Sequence, residues 1–281
     1  MTLNAPDLPA STARIEQASL NAWPALHQVL HDGWLLRFCG GFTKRANSVS
    51  IVSTGERSLD ARIAFCEALY EQHGQATVFR LSSACPELGL DAVLATRGYA
   101  LLDATDVMTA DARAMGLLHP PQALLHPPQA LPHTPQALPH TPQALPRQVW
   151  LAHYARLSGS PTSATRLHEL LLAGIRLPCL YAVVESAGAV VACGLAVCEA
   201  DMVGLFDIVT DVQHRAQGHA QRLTAAMVAW GAAQGARTAY LQVLAANAPA
   251  QRLYHRLGFS RQYRYWYRTG PAHPESPQVL R

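Results

Sequence analysis

The sequence predicts an α/β protein in which helices pack on a mixed sheet and two similar halves follow one another. Length and composition permit this, because 281 residues with 49% hydrophobic content are enough for two modest cores. Apolar stretches rich in β-branched and aromatic residues alternate with stretches of helical periodicity, as in chains that combine strands with helices. The order helix, strand, helix and then a glycine followed by an aromatic residue occurs once in each half, which suggests a tandem pair of domains.

The second half contains the longer run of predicted elements. They are helices over residues 148–157 and 165–175, strands over 180–185, 189–198 and 202–210, a helix over 220–234, a strand over 238–244, a helix after Asn247 and a strand over 262–268. The first half is a fainter copy, with strands over 34–38 and 47–52, a helix over 59–72, a strand over 76–81 and a helix over 90–96. A chance similarity of two α/β segments is the alternative.

A seven-residue repeat separates the halves between residues 119 and 145. Its unit is roughly H-P/T-P-Q-A-L-x, and a proline in every unit forbids a continuous helix. We interpret it as an extended linker rather than as a metal site made by its four histidines. The first strand of the second domain is expected near here, so it is missing, supplied by the other domain, or built from the edge of the repeat. The expected organisation is a flexible N-terminus (1–14), a first domain (15–115), a linker (116–146), a second domain (147–268) and a loose tail (269–281).

Charge and cysteine usage exclude several function classes. The net charge of +3, with Lys44 as the single lysine, is too small for a nucleic-acid footprint. The six cysteines are scattered singly, with no C-x-x-C spacing for a metal and no disulfide framework. There is no signal-peptide pattern and no apolar stretch of about 20 residues. We therefore expect a cytoplasmic protein, a monomer or homodimer, that binds neither membrane nor nucleic acid and needs no metal.

The most informative segment is Arg215-Ala216-Gln217-Gly218-His219-Ala220, which joins a predicted strand to a predicted helix. Free N–H groups and the positive dipole end make a helix N-terminus suitable for an anion. Gly218 and Ala220 keep the side chains short, so a pyrophosphate could approach the backbone, and Arg215 adds positive charge. On this segment alone, an ordinary strand–loop–helix connection explains the pattern equally well.

The second segment reads N-A-x-A-x-x-L-Y-x-x-x-G-F from Asn247 to Phe259. Asn247 is a good N-cap, Pro249 suits the first turn, and Gly258 ends the helix. Tyr254 lies within this helix. Read alone, Asn247 could be a cap only, and Tyr254 a core aromatic residue with its hydroxyl at the edge.

In this order, the two segments resemble the acyl-CoA-binding and active-site segments of the GNAT (Gcn5-related) N-acetyltransferase superfamily. The resemblance implies a GNAT fold in the second half and a degenerate GNAT-like first half that lacks the R-x-x-G-x-G/A motif and does not bind CoA. It implies acetyl-CoA as co-substrate, with the backbone from Arg215 to Ala220 holding the pyrophosphate, Asn247 contacting the cofactor arm and Tyr254 protonating the leaving thiolate. Two positions depart from the common pattern, which more often has glycine at Ala216 and an aliphatic residue at His219.

Acyl transfer to an amine requires a base and donors for the oxyanion. Asp207 is the acid nearest the end of the strand over 202–210, and strand alternation points it away from Phe206 and Ile208. It is our candidate base, directly or through water, although it could equally be a structural acid. A backbone N–H near Ile208 and Val209 is the candidate oxyanion donor. Cys193 and Cys198 lie outside both motifs, so we expect direct attack without an acyl-enzyme.

The acceptor is expected to be a small-molecule primary amine held partly by the first half. Candidate substrate residues are Lys44, Arg45 and Asn47, which form its most polar cluster, and Tyr265 in the last strand. The cluster could bind a carboxylate or phosphate, or be a solvated loop. Two alternatives remain at this point: acetylation of protein N-termini or lysines, and a non-catalytic acyl-CoA sensor.

Overall fold

The computed structural model describes residues 12–118 and 142–270. The helices are α1 (Thr12–Ala22), α2 (Leu59–Gln72), α3 (Leu90–Thr96), α4 (Ala112–Leu118), α5 (Arg147–Ser158), α6 (Thr162–Gly174), α7 (His219–Ala233) and α8 (Ala248–Arg256). The strands are β1 (His27–His31), β2 (Trp34–Phe38), β3 (Val49–Ile51), β4 (Val78–Ser82), β5 (Ala100–Asp111), β6 (Pro142–Ala144), β7 (Cys179–Ser186), β8 (Ala189–Glu199), β9 (Met202–Thr210), β10 (Thr238–Leu244) and β11 (Ser260–Thr269).

All of these strands form one mixed sheet in the order β1-β2-β3-β4-β11-β5-β10-β9-β8-β7-β6. Two neighbouring pairs are parallel, β3 with β4 and β9 with β10, and the other pairs are antiparallel. Each parallel pair is joined by a crossover helix, α2 in the first half and α7 in the second. The halves therefore repeat the same strand–helix–strand plan within a single sheet.

The last strands of the two halves are exchanged. β11, from the end of the chain, lies between β4 and β5, and β5, from the first half, lies between β10 and β11. The arrangement is pseudo-symmetric, because each half receives the closing strand of the other. The domain limits predicted from the sequence do not take this exchange into account. Those limits stay a prediction.

The elements that the sequence predicts agree closely with those in the structure, but α1, β1, α4 and the central strand β5 were not predicted. α1 begins at Thr12, so residues 12–14 are helical rather than part of a flexible N-terminus; the side chains of Ile15, Ala18 and Ala22 are buried. β6, which consists of repeat residues, pairs with β7 and supplies the expected first strand of the second half. The rest of the repeat (residues 119–141), with all four of its histidines, and the segment 271–281 lie outside the described residues. None of the described helices is long and apolar enough to cross a membrane.

Candidate active site

The central feature of the site is a separation of two parallel strands. β9 and β10 pair from Met202 opposite Thr238 as far as Leu205 opposite Leu241, and the pairing then stops although both strands continue. A cavity of about 690 Å³ lies at this separation. Both halves line it: Leu205, Phe206, Asp207, Ile208, Leu241, Gln242, Val243, Leu244, Asn247, Ala250, Tyr254, Tyr154, Tyr265 and Tyr267 from the second, and Trp23, Thr43, Lys44, Arg45, Asp103 and Thr105 from the first.

A β-bulge on β9 turns Asp207 into the cavity. Val209 pairs with Cys193 and Phe206 with Leu195, so Asp207 and Ile208 together oppose only Gly194. Asp207 has a φ of 52°, a left-handed conformation that is costly for a residue with a side chain. A bulge bends its strand and leaves backbone groups outside the ladder. Ile208 lies in the bulge and lines the cavity, as its candidate oxyanion role requires, whereas Val209 pairs with Cys193 and does not line the cavity.

Asp207 also contacts a buried histidine that the sequence analysis missed. Nε2 of His168, on α6, lies 2.9 Å from Oδ2 of Asp207. The imidazole is enclosed by the rings of Trp23, Phe42 and Tyr154 at centroid distances of 5.6, 5.0 and 5.0 Å. The negative charge of Asp207, together with burial, raises the pKa of Tyr154. Asp207 therefore faces the cavity while being oriented by α6 from behind.

Tyr254 and Asn247 lie where the sequence predicts, on the opposite wall. Tyr254 is buried on α8 and lines the cavity, and burial raises its pKa to about 12. Its hydroxyl is thus protonated at neutral pH and can act as a proton donor. Asn247 both lines the cavity and caps α8, since its side chain accepts a hydrogen bond from Ala250 N at 3.2 Å.

The segment from Arg215 to Ala220 forms the loop beyond the carboxyl end of β9 and the start of α7. Ala216 has a φ of 61° and Gly218 a φ of 79°, which explains why glycine suits both positions. Gly218 is the N-cap of α7 and provides no side-chain hydrogen bond to it. Arg215, Ala216 and Gln217 are exposed, so their backbone is accessible to a ligand.

His219 differs from its neighbours in this loop because it is buried, 2% exposed. Its Nδ1 lies 3.0 Å from Nη2 of Arg222, which also donates to Gln217 O at 3.0 Å. Arg222, which the sequence analysis missed, therefore adds a second cation to the loop. Its position one helical turn after Gly218 was the available signal. The loop itself does not line the cavity.

In the first half, Lys44 and Arg45 lie on the cavity wall in a short 3-10 turn. Nζ of Lys44 is 2.5 Å from Oδ2 of Asp103, which occupies a left-handed position in β5. Asn47 needs a correction, because its side chain is saturated by protein. Its Oδ1 accepts from the N–H groups of Cys39 (2.7 Å) and Gly41 (3.1 Å), and its Nδ2 donates to the carbonyls of Phe42 (2.7 Å) and Thr43 (2.9 Å). It is fully buried and shapes the loop rather than binding a ligand.

Three tyrosines of β11, Tyr263, Tyr265 and Tyr267, are buried in the same core cluster. Tyr265 and Tyr267 line the cavity, and the hydroxyl of Tyr265 donates to Gln242 Oε1 at 3.0 Å. Tyr263 instead donates to Glu16 of α1, which also binds Arg80. α1 therefore fixes β4 and β11 beneath the cavity, a role with no signal in the sequence.

Within residues 12–118 and 142–270, no group of three or more His, Cys, Asp or Glu side chains could hold a metal ion. All six cysteines are free, and burial raises the pKa of Cys193 and Cys198, which keeps both thiols protonated. Neither thiol lines the cavity. The groups that can perform chemistry there are the Tyr254 hydroxyl, the Asp207 carboxylate and the backbone of the bulge.

Two sequence comparisons with known proteins match most of the chain. A profile of the family described as "Probable histone acetyltransferase Rv0428c C-terminal" matches residues 10–268. The chain is similar to the uncharacterized N-acetyltransferase YobR of Bacillus subtilis (strain 168), with 27% identity over 259 residues, 91% of this chain and 97% of that protein.

Two solved structures are similar along most of their length. A GCN5-related N-acetyltransferase from Kribbella flavida has a TM-score of 0.64 at 17% identity, covering 93% of this chain and 96% of that one. A tandem GNAT protein from the clavulanic acid biosynthesis pathway has a TM-score of 0.60 at 14% identity, covering 93% and 88%. These likenesses concern the fold, and they confirm the predicted mixed α/β sheet of GNAT type with two related halves.

Proposed function

This chain belongs to the Rv0428c C-terminal acetyltransferase family and is a GNAT-type N-acetyltransferase; from that premise we propose that it transfers an acetyl group from acetyl-CoA to the primary amine of a small molecule. The observation that carries the proposal is the cavity at the separation of β9 and β10. It brings a protonated phenol, a carboxylate and unpaired strand backbone to one place.

We propose that the segment from Arg215 to Ala220 holds the pyrophosphate of acetyl-CoA. The N-terminus of α7 has no side-chain cap at Gly218, and a helix N-terminus of this kind favours an anion. A side chain at Gly218 would crowd the site, since its Cβ would lie 3.1 Å from Nη1 of Arg222. Arg215 and Arg222 supply positive charge, and the thioester arm would run along the β9–β10 separation past Asn247.

The proposed reaction is direct attack. The amine nitrogen forms a bond to the thioester carbonyl carbon, and a backbone N–H at the β9 bulge near Ile208 stabilises the oxyanion. The C–S bond then breaks, and Tyr254 gives its proton to the departing sulfur. The proton lost by the amine goes to Asp207, directly or through water, and Tyr254 is reprotonated from solvent. The products are an N-acetylated amine and CoA.

A small acceptor is favoured because the first half covers the acceptor side of the cavity. Trp23, Lys44 and Arg45 line the same cavity as residues of β9 and β10, so an acceptor bound there would contact both halves of the chain. The matching family is named for a probable histone acetyltransferase, so a lysine-containing peptide belongs among the acceptors to be tested.

Calorimetric titration with acetyl-CoA tests the cofactor part of the proposal. We expect the wild type to bind, and Arg215→Glu to bind at least about tenfold more weakly, since a repulsive charge replaces an attractive one beside the phosphates. Arg57→Glu is the matched control, because it makes the same change in the corresponding loop of the first half and should leave the affinity unchanged. Absence of binding in the wild type, or equal loss in both variants, would overturn the assignment.

Thiol release then tests the acceptor. Small amines and a lysine peptide are compared at equal amine concentration in the presence of acetyl-CoA. Faster turnover of small amines supports the proposal, and exclusive turnover of the peptide contradicts it.

A further inference from the structure

We propose that the acceptor carries a carboxylate as well as its amine, and that Arg45 binds this carboxylate. The substrate class would then be amino acids or derivatives with a free carboxylate. This inference builds on the proposed function and specifies the acceptor of the same cavity. The feature that supports it is an arginine in the cavity wall whose side chain has no hydrogen-bond acceptor or ion-pair partner among residues 12–118 and 142–270.

The backbone of Arg45 is fixed from several sides. Arg37, a buried cation that is 1% exposed, donates from Nη1 to the carbonyl of Arg45 at 2.8 Å. The four hydrogen bonds of the Asn47 side chain fix the preceding loop, and Trp23 Nε1 donates to Thr43 Oγ1 at 3.1 Å. Because the backbone of this segment is fixed, the position of the Arg45 Cα is fixed as well, as a pre-organised binding group requires.

The guanidinium of Arg45 lies over two aromatic rings rather than beside a carboxylate. Its Cζ is 5.4 Å from the ring centroid of Trp23 and 5.6 Å from that of Phe206. Among the described residues no carboxylate lies within ion-pair distance of it, and its buried Nε has no hydrogen-bond partner. A half-buried cation with unused donors is costly unless an anion joins it, and a guanidinium matches a carboxylate well.

The other charged side chains of the cavity already have partners. Lys44 is paired with Asp103, and Asp207 contacts His168. Lys44 and Arg45 against Asp103 and Asp207 give a formal charge of zero. A zwitterion keeps this balance, with its ammonium towards Asp207 and its carboxylate at Arg45. A phosphate dianion would instead add excess negative charge beside two aspartates, which disfavours it.

The test uses matched ligands that differ only in the carboxylate. A panel of α-amino acids and of ω-amino acids of increasing chain length is compared with the corresponding carboxamides, which keep the shape and lose the charge. With acetyl-CoA present, kcat/KM is measured by thiol release, and with CoA present, binding is measured by calorimetry. We expect the best acid to exceed its carboxamide by on the order of 10²-fold in both measurements.

Variants at Arg45 connect this preference to the residue. Arg45→Gln should reduce the ratio of acid to carboxamide nearly to one, whereas Arg45→Lys, which keeps the charge, should retain part of it. Thermal unfolding shows whether the Arg45→Gln variant is folded. The comparison of acids with carboxamides in the wild type does not depend on that variant.

Carboxamides that bind and react as well as the acids, or an Arg45→Gln protein that keeps the preference, would overturn the inference while leaving the acetyltransferase proposal intact. Failure of every acid to bind would overturn it too. Failure of acetyl-CoA to bind is a separate result that concerns the proposed function, because binding of the acids is measured independently of turnover.

Discussion

The loops that precede α2 and α7 occupy equivalent places in the two halves but differ in what their backbone N–H groups bind. Before α2, Asp32 accepts hydrogen bonds from the N–H groups of Glu56 (3.0 Å) and Arg57 (2.9 Å), and Glu87 accepts from that of Gly55 (3.1 Å). Before α7, within the part of the chain that the structure describes, no carboxylate accepts from residues 215–218. The first loop is filled by the protein's own anions, whereas the second remains available to an anion from outside.

The two halves also differ in the caps of α2 and α7 and in the residue that corresponds to Tyr254. Ser58 caps α2 through its side chain, which accepts from Ala61 N at 3.3 Å, while Gly218 leaves α7 without such a cap. Counting back four residues from Gly98 and from Gly258 places Leu94 in the first half where Tyr254 stands in the second. Leu94 is fully buried in its own core. One scaffold thus serves two purposes, because a few polar residues decide whether its anion site is closed or open.

The largest effect, on kcat, is expected from removing the Tyr254 hydroxyl, which has no counterpart at Leu94 of the first half. Tyr254→Phe removes the proposed proton donor, so kcat should fall by on the order of 10² or more, with acetyl-CoA affinity unchanged. Steady-state kinetics and calorimetry measure the two quantities.

Tyr99→Phe is the matched control for Tyr254→Phe. It deletes a buried hydroxyl, bonded to Glu67 at 2.8 Å, from the corresponding corner of the first half. It should leave kcat unchanged. A Tyr254→Phe enzyme with full kcat would remove the acid role from this residue.

A smaller effect is expected from placing a carboxylate in the open loop. Gly218→Asp imitates the self-filled loop of the first half and should weaken acetyl-CoA binding by about 10²-fold through repulsion of the phosphates. Gly218→Asn is the control, because asparagine has nearly the same shape and tolerates the same left-handed backbone. Calorimetry compares the two variants, and equal affinities would show that strain rather than charge governs this position.

The sequence predicts those parts of this comparison that depend on local pattern. The bounds of α2, α3, β9 and β10 agree with the predicted ranges, because helical periodicity followed by a glycine marks the two helices and a continuous apolar run marks the two strands. The glycine and short side chains before α7 likewise identify the open loop.

The remaining features depend on residues that are distant in the chain. Asp32 reaches Arg57 from a hairpin turn, Lys44 reaches Asp103 across the exchanged strands, and His168 reaches Asp207 from another helix. No spacing rule specifies such pairs, because their members come together only when separate elements of the fold pack against one another. The bulge at Asp207 was missed for a related reason, since it appears only in the register with β8.

The smallest effect is expected from removing the Asp32 carboxylate from the loop before α2. It should change the thermal stability of the protein rather than catalysis. The backbone hydrogen bonds from Glu56 and Arg57 lower the pKa of Asp32, and the hydrogen bonds from Arg62 lower that of Glu87. A lowered folded-state pKa stabilises the protein above the ordinary carboxyl pKa of about 4, and this stabilisation is lost as the pH falls through the folded value. The substitution Asp32→Asn removes the part of this stabilisation that Asp32 contributes. The Tm of the variant should therefore lie below that of the wild type near neutral pH, and the two Tm values should converge below about pH 4.

Calorimetric scans at a series of pH values measure the difference in Tm, and acetyl-CoA affinity at neutral pH should not change. A difference in Tm that is constant with pH would mean that the carboxylate charge of Asp32 is not what closes the loop, and the contrast between the two halves would then depend on the shape of the loops alone.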